Sequence, residues 1–224
     1  DEKGNTRFLS IQFRPQYQYL DQNKEAEERI YEGETPGVSY GDIAERYYTV
    51  GQYMKEVKDV SKAMAAAGDS YICDEYLNAM GSPEAESVYV LHDLNNDGIE
   101  EFFIGLKFNY DIPYYVIYDV YTWKDGRAYQ LMRGIGYRNG SCKICENGVI
   151  EDNYSGSAWD GQTLYHILPE GGIELETIDS VSSRRDGTVQ SYYHWNELID
   201  ENSLQTILEQ YQPESVTYVD CNRE

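Results

Sequence analysis

The pattern of hydrophobic and polar residues changes character near residue 85. Upstream of that point, apolar residues recur at steps of three and four, which indicates helices; downstream, short runs rich in Val, Ile, Tyr and Phe alternate with turn residues, which indicates strands. Asp-Gly, Asn-Gly and Gly-Gly pairs recur every 8 to 15 residues between residues 120 and 190, the rhythm of an antiparallel meander. The sequence therefore predicts an α+β fold, in which N-terminal helices pack on an antiparallel β-meander and a short C-terminal helix follows.

The longest predicted helix begins at a segment that resembles a capping box, Ser39-Tyr40-Gly41-Asp42,. Its apolar stripe continues to about Ala67, and we expect Gly51 to bend or weaken the helix. The other predicted helices cover residues 16–31, residues 69–80 and a segment that begins at Asp200 or Asn202.

Strand patterns follow one another from residue 87 onward. The predicted strands are 87–92, 99–107, 114–123, 128–133, 142–146, 149–153, 162–168, 173–180 and 188–194, and residues 216–219 could add a last edge strand. We accordingly divide the chain into residues 1–84, a helical region packed on the same core, and residues 85–224, which hold the meander, an acidic loop and the C-terminal helix.

The most distinctive segment is Asp93-Leu94-Asn95-Asn96-Asp97-Gly98-Ile99-Glu100-Glu101. Oxygen-bearing side chains stand at its positions 1, 3, 5 and 9, and the glycine at position 6 allows a sharp turn, which is the ligand spacing of a calcium loop. We expect Asp93, Asn95, Asp97 and Glu101 to offer side-chain oxygens to Ca²⁺, and Ile99 to offer its backbone carbonyl.

Two other interpretations of this loop were weighed. An ordinary EF-hand is excluded, because its position 12 must be a bidentate carboxylate and is Ile104 here; the flanking residues also favour strands over helices. The alternative is a turn in which Asp and Asn side chains accept hydrogen bonds from their own backbone and the glycine adopts a positive φ. Without a cation, the carboxylates of such a turn would repel one another.

The stretch from Tyr89 to Phe102, YVLHDLNNDGIEEF, resembles the "YxLxDxNxDGxxEL" segment of a broad group of bacterial secreted proteins and lipoproteins. It is also similar to the strand-flanked calcium loops of FG-GAP (integrin-type) repeats, although a single loop does not imply a propeller. In the bacterial group, helices precede the segment, and a strand like residues 120–127, a turn like residues 145–150 and a short helix follow it. The resemblance spans about residues 70–212, implies export and bound calcium, and brings no catalytic residues. Glu100 departs from the pattern, since Pro or a small residue is more usual there.

The chain is strongly acidic, with 40 Asp and Glu against 18 Lys and Arg and a net charge of −22. Such a polyanion repels nucleic acid and anionic membrane surfaces, so no nucleic-acid partner is expected. The 23 tyrosines offer large contact areas with polar tips, and we expect a few exposed rings to line a face that binds an extracellular glycan or protein partner. The sequence leaves the oligomeric state open.

No apolar run reaches the roughly 20 residues of a membrane-spanning helix. Calcium binding in the range of extracellular modules favours an extracellular or cell-surface location, with which a lipid anchor upstream of Asp1 would agree. Cys142 and Cys145 form a CxxC in a strand context, where residues three apart face opposite sides and lie about 10 Å apart, too far for a disulfide.

Catalytic motifs such as GxSxG, HExxH and the Walker or Rossmann glycine patterns are absent from the sequence,. His92 and His194 are interpreted as structural residues. We therefore expect a non-enzymatic domain whose calcium site stabilises a ligand- or partner-binding β-sheet. The alternative is an extracellular hydrolase that acts on glycans or peptides through two acidic residues, which the sequence does not identify.

Overall fold

A computed structural model describes residues 39–67, 72–134, 142–156, 159–168, 175–186 and 189–221. The helix predicted over residues 16–31 lies outside these ranges. The helices of the described residues are α1 (Tyr40–Val57), α2 (Val60–Ala67), α3 (Asp74–Met80) and α4 (Glu201–Leu208). The strands are β1 (Ala85–His92), β2 (Glu101–Phe108), β3 (Tyr114–Lys124), β4 (Arg127–Arg133), β5 (Cys142–Cys145), β6 (Val149–Ser155), β7 (Trp159–Ile167), β8 (Leu175–Asp186), β9 (Val189–His194), β10 (Glu197–Ile199) and β11 (Val219–Asp220).

The predicted α+β class is confirmed, and the strands divide into two antiparallel sheets rather than one. Sheet A has the order β11-β1-β2-β3-β4, and sheet B has the order β10-β9-β8-β7-β6-β5. Each sheet is itself a meander, because consecutive strands are neighbours within it. The short strand β11 returns the end of the chain to the edge of sheet A, where Tyr89 pairs with Val219.

The hydrophobic core lies in three places. Helices α1 to α3 cover one face of sheet A with a cluster that includes Tyr47, Tyr76 and Phe102. Sheet B covers the other face, and Phe103 and Ile150 belong to the cluster between the sheets. A small third cluster contains Cys145, Val149 and Leu164, with Tyr211 packed against it. Strand β2 is therefore covered on both faces, which explains its almost unbroken apolar sequence,.

The predicted single helix from Ser39 to Ala67 is wrong, because the structure breaks it into α1 and α2. Lys58 adopts a left-handed conformation (φ 51°, ψ 38°), and its N–H donates to the carbonyl of Met54 as the C-cap of α1. The apolar stripe continues past the break, so the sequence periodicity carried no sign of it. The capping box at the start of α1 is confirmed, with Ser39 and Asp42 exchanging their hydrogen bonds.

Gly51 does not mark the break and lies inside α1, where the helix approaches α3. A Cβ at this position would lie 2.9 Å from Cε of Met80 and 3.1 Å from the hydroxyl of Tyr76. The glycine is therefore better explained by close helix packing than by bending.

Candidate functional site

The acidic loop, residues 93–100 together with Glu101, connects two paired strands. Strands β1 and β2 pair along their whole length, and His92 stands opposite Glu101 at the base of the loop. The predicted arrangement of strand, loop and strand is confirmed. Within the loop, Asn96 (φ 57°) and Gly98 (φ 87°) adopt left-handed conformations, which turn the chain sharply enough to bring its polar side chains inward.

The side chains of the loop accept hydrogen bonds from its own backbone. One carboxylate oxygen of Asp93 accepts from the N–H of Asp97 at 3.1 Å, and the other accepts from Gly98 at 3.0 Å. Asn95 Oδ1 also accepts from the N–H of Asp97, and Asp97 Oδ1 accepts from Ile99 at 2.8 Å. These are the bonds of an Asx-rich turn. They leave lone pairs on each carboxylate, which has about four acceptor sites.

Glu101 lies beneath the loop and is fully buried. One of its oxygens accepts from the N–H of Leu94 at 2.9 Å, and the other accepts from the hydroxyl of Thr122 at 3.0 Å. Burial raises the pKa of Glu101 to about 7; its two hydrogen bonds oppose this rise, and the charges of Asp97 and Asp93 add to it. The carboxyl of Glu101 is therefore poorly stabilised in its charged form.

The negative charges of the loop are not neutralised by the described part of the protein. Within it, no Lys or Arg forms an ion pair with Asp93, Asp97 or Glu101. Nor do three His, Cys, Asp or Glu side chains of those residues lie close enough together to hold a metal ion by themselves. The calcium assignment to Asp93, Asn95, Asp97, Ile99 and Glu101 stays a prediction.

All three layers of the fold hold the loop in place. From α1, the hydroxyl of Tyr40 donates to the carbonyl of Glu100 at 2.9 Å. Leu94 is buried in the core between the sheets. From sheet B, the turn at Gly148 approaches so closely that a Cβ there would lie 2.2 Å from the carbonyl oxygen of Leu94. Gly148 also has a φ of 72°, so the contact and the backbone both favour glycine.

The contact between Leu94 and Gly148 was missed by the sequence analysis. The loop and the turn were recognised there as two separate segments, some fifty residues apart. Each segment contains one glycine, which predicted a tight turn but gave no information about which turn would contact which loop. Only co-variation among related sequences could have signalled the contact.

A second candidate site is an aromatic groove at the other end of sheet A, beyond the last residue of β2. We define the aromatic groove by Phe108, Tyr110, Tyr114, Tyr115 and Tyr218. It joins two clefts of about 820 and 690 Å³, and Tyr114 lines both of them. Tyr110 and Tyr114 are 49% and 47% exposed. The prediction of a few exposed rings now has candidate positions, which the sequence could not identify among 23 tyrosines.

The rings of the aromatic groove form two stacked sets. Phe108 and Tyr114 stack with centroids 4.8 Å apart, and Tyr110 lies 5.9 Å from Tyr114 at an interplanar angle of 18°. Tyr115 and Tyr218 stack at 3.9 Å. Stacked rings lose conformational freedom before any ligand arrives, which lowers the entropic cost of binding on them.

Hydrogen bonds within the fold also hold buried carboxylates, among them Asp119 and Asp179. Asp119 is fully buried and accepts from the hydroxyl of Tyr47 at 2.6 Å and from the N–H of Gly134 at 3.0 Å. Asp179 accepts from the hydroxyl of Tyr211 at 2.9 Å and lies 2.7 Å from Nε2 of His194, which joins the segment after α4 to sheet B.

The cysteines and His92 also take structural positions. Cys142 packs in the core between the sheets and Cys145 in the outer cluster of sheet B, so the prediction that they face opposite sides of their strand is confirmed. His92 lies 3.1 Å from the carboxylate of Glu214.

Comparison with protein-family models, with curated proteins and with solved structures found no match to this chain. The resemblance of residues 89–102 to the bacterial secreted group thus rests on the sequence segment alone. Among the described residues, no helix has both the length and the apolar character that crossing a membrane requires.

Proposed function

We propose that this chain is a non-enzymatic domain of a secreted or surface-anchored bacterial protein, in which a calcium ion bound by the acidic loop stabilises a β-sheet that binds a ligand or partner. One observation carries the calcium part of this proposal. Asp93 and Asp97 belong to a loop that lies over the buried Glu101, and no Lys or Arg of the described residues forms an ion pair with any of the three. A divalent ion would remove their repulsion.

The residues present fit a calcium ion in their chemistry. Asp93, Asn95, Asp97 and Glu101 would offer side-chain oxygens and Ile99 its carbonyl, which are the hard ligands that Ca²⁺ prefers, with water completing the set. Bound calcium would supply the positive charge that the loop lacks. Tyr40, Leu94 and Gly148 hold the loop against all three layers of the fold. Ordering the loop would therefore stabilise the packing of the helices and the two sheets together.

The binding part of the proposal is supported by the aromatic groove, since exposed parallel rings at a concave surface are typical of ligand sites. The hydrolase alternative lacks such support. Its acid pair would need a raised pKa in a cleft, whereas Glu101 and Asp119, whose pKa values are raised by burial, are fully buried and line neither cleft.

Calcium should raise the melting temperature of the purified chain. At a concentration one hundred times the dissociation constant, calcium adds about 2.7 kcal/mol to the free energy of unfolding, which corresponds to about 5–10 °C for a chain of this size. Melting curves in EDTA, in excess calcium and in equal magnesium would measure the effect, and elemental analysis would report bound calcium.

Two variants sharpen this test. Asp97→Asn should abolish most of the calcium-dependent rise, because it removes a charged ligand, whereas Asp186→Asn, an exposed acidic residue at the end of β8, should leave the rise unchanged. Equal melting temperatures in EDTA and calcium, together with no calcium by elemental analysis, would overturn the metal site.

Export is tested separately, by whether the codons upstream of Asp1 encode a signal peptide or lipobox.

A further inference from the structure

The aromatic groove also carries negative charge. Glu84 and Asp111 line its smaller cleft, and Glu214 lines the larger one, where its carboxylate lies 3.1 Å from Nε2 of His92. Among the described residues, the Lys or Arg side chain that lines either cleft is Lys143, which already pairs with Glu151 at 3.2 Å. The face of an aromatic ring is itself electron-rich. The groove therefore combines tyrosine faces with carboxylates, on a chain whose net charge is −22.

These features favour a cationic ligand over a neutral one. A guanidinium or ammonium group over a tyrosine ring contributes about 0.5–2 kcal/mol, and a carboxylate beside the ring adds a charge-assisted hydrogen bond. The same chemistry occurs within the chain. Arg127 lies 4.9 Å over the ring of Tyr129 and donates to its hydroxyl, and Arg184 lies 5.4 Å over Trp159.

The shape of the groove favours an extended ligand. The two clefts meet at Tyr114, so a bound chain could pass from Glu84 and Tyr110 across Tyr114 toward Tyr115 and Glu214. Both clefts are lined by aromatic side chains. Proline-rich, extended peptides dock in aromatic-lined grooves, because such peptides are already ordered before binding.

We propose that the aromatic groove binds an extended basic peptide segment of a partner protein, with Arg or Lys side chains over Tyr110 and Tyr114 and against the carboxylates of Asp111 and Glu214. This assignment rests on the proposed function, because it takes the chain to be a binding domain. It adds the position of the binding surface and the chemistry of its ligand.

The direct test uses two fluorescent twelve-residue peptides with the intact chain at 0.15 M salt. One alternates Arg and Pro, and the other replaces every Arg with citrulline, which keeps the shape and removes the charge. Fluorescence anisotropy should show the Arg peptide binding at least about fivefold more tightly, since two ring contacts of this strength amount to at least about 1 kcal/mol. Equal affinity for the two peptides, or no binding of either, would overturn the assignment.

Variants locate the binding surface. Tyr110→Ala and Asp111→Asn should each weaken binding of the Arg peptide by about twofold or more, because each removes one contact. The matched controls are Trp195→Ala, an aromatic ring that is 46% exposed beside β9, and Glu197→Gln, an exposed carboxylate in β10 of sheet B. Both controls should bind as the unchanged chain does. Tyr110 is half exposed, so its replacement should leave the melting temperature within a few degrees.

The remaining outcomes separate this assignment from the proposed function. An equal loss of peptide affinity in the groove variants and the control variants would mean that net charge alone attracts the peptide. That result would overturn the assignment of the groove as the binding surface. Displacement of the peptide by a neutral hexamer of N-acetylglucosamine would make the groove a glycan site, which overturns the peptide assignment and leaves a binding domain. The calcium melting curves test the proposed function independently of either result.

Discussion

Gly105 shows how a single residue determines the geometry of sheet A. It lies in β2, where the register with β3 shifts between Ile104 and Gly105 at a bulge. A Cβ on Gly105 would lie 2.1 Å from the carbonyl oxygen of Val116 and 2.9 Å from Cα of Ile117. Both atoms belong to the backbone of a paired strand, so no change of side-chain rotamer relieves the contact. The sequence shows a glycine inside a strand pattern, and only the structure shows what approaches it.

We expect Gly105→Ala to lower the free energy of unfolding by about 2–3 kcal/mol, because the strands must move apart where they are most tightly packed. Urea denaturation monitored by circular dichroism would measure the change. The matched control is Gly41→Ala in the first turn of α1, where the nearest atom to a new Cβ is the Ser39 hydroxyl at 3.4 Å. That control should be neutral or stabilising by up to about 1 kcal/mol. A Gly105→Ala protein as stable as the parent would contradict the steric account.

Among the elements, strands were more predictable than helix ends. The nine strands predicted between residues 87 and 194 all occur, because each has a strand-like apolar run between turn residues,. The short β10 was missed, and the division into two sheets could not be predicted, because strands of either sheet carry the same pattern. The break between α1 and α2 was missed for a different reason: the left-handed residue is Lys58, and lysine carries no signal for that conformation.

The C-cap of α1 offers a test of this explanation. A left-handed conformation costs a lysine about 1 kcal/mol relative to glycine, so Lys58→Gly should raise the free energy of unfolding by about 0.5–1 kcal/mol. The same substitution two residues earlier, Glu56→Gly, falls inside the helix on an exposed position and should lower the free energy by about 1 kcal/mol. Chemical denaturation of both variants would measure the difference. If α1 and α2 were instead one continuous helix, Lys58→Gly would be destabilising too.

Across the whole molecule, acidic side chains occupy buried as well as exposed positions. Burial raises the pKa of Asp119 from 3.8 to about 6, against the opposing effects of its bond from Tyr47 and the charge of Arg133. The exposed helix-cap carboxylates behave in the opposite way. Hydrogen bonds from Ser39 lower the pKa of Asp42, and hydrogen bonds from Ser203 lower that of Asp200. Composition predicted the net charge, but not which carboxyls would be buried, since that depends on the packing of α1 against sheet A.

These opposite shifts predict a stability maximum near pH 4. The folded state holds a proton on Asp119 more tightly than the unfolded state does, so this residue's contribution is complete below pH 4 and is lost as pH rises through about 6, a loss of about 3 kcal/mol. The capping carboxylates stabilise the fold above pH 4 and lose that effect as pH falls further. Urea denaturation from pH 2.5 to 8, in chelator, should therefore show falling stability on both sides of the maximum.

Two controls separate Asp119 from the general repulsion of a chain with net charge −22. Added salt at about 0.5 M screens charges that lie far apart at the surface and acts much less on a buried group, so the fall in stability between pH 4 and 8 should persist in salt. Asp119→Asn cannot ionise and should reduce that fall, whatever its effect on stability at pH 4. The buried Glu101, whose pKa burial raises to about 7, should account for the part of the fall that remains. A fall that salt abolishes and Asp119→Asn leaves intact would assign the pH dependence to surface repulsion and contradict the role of the buried carboxyl.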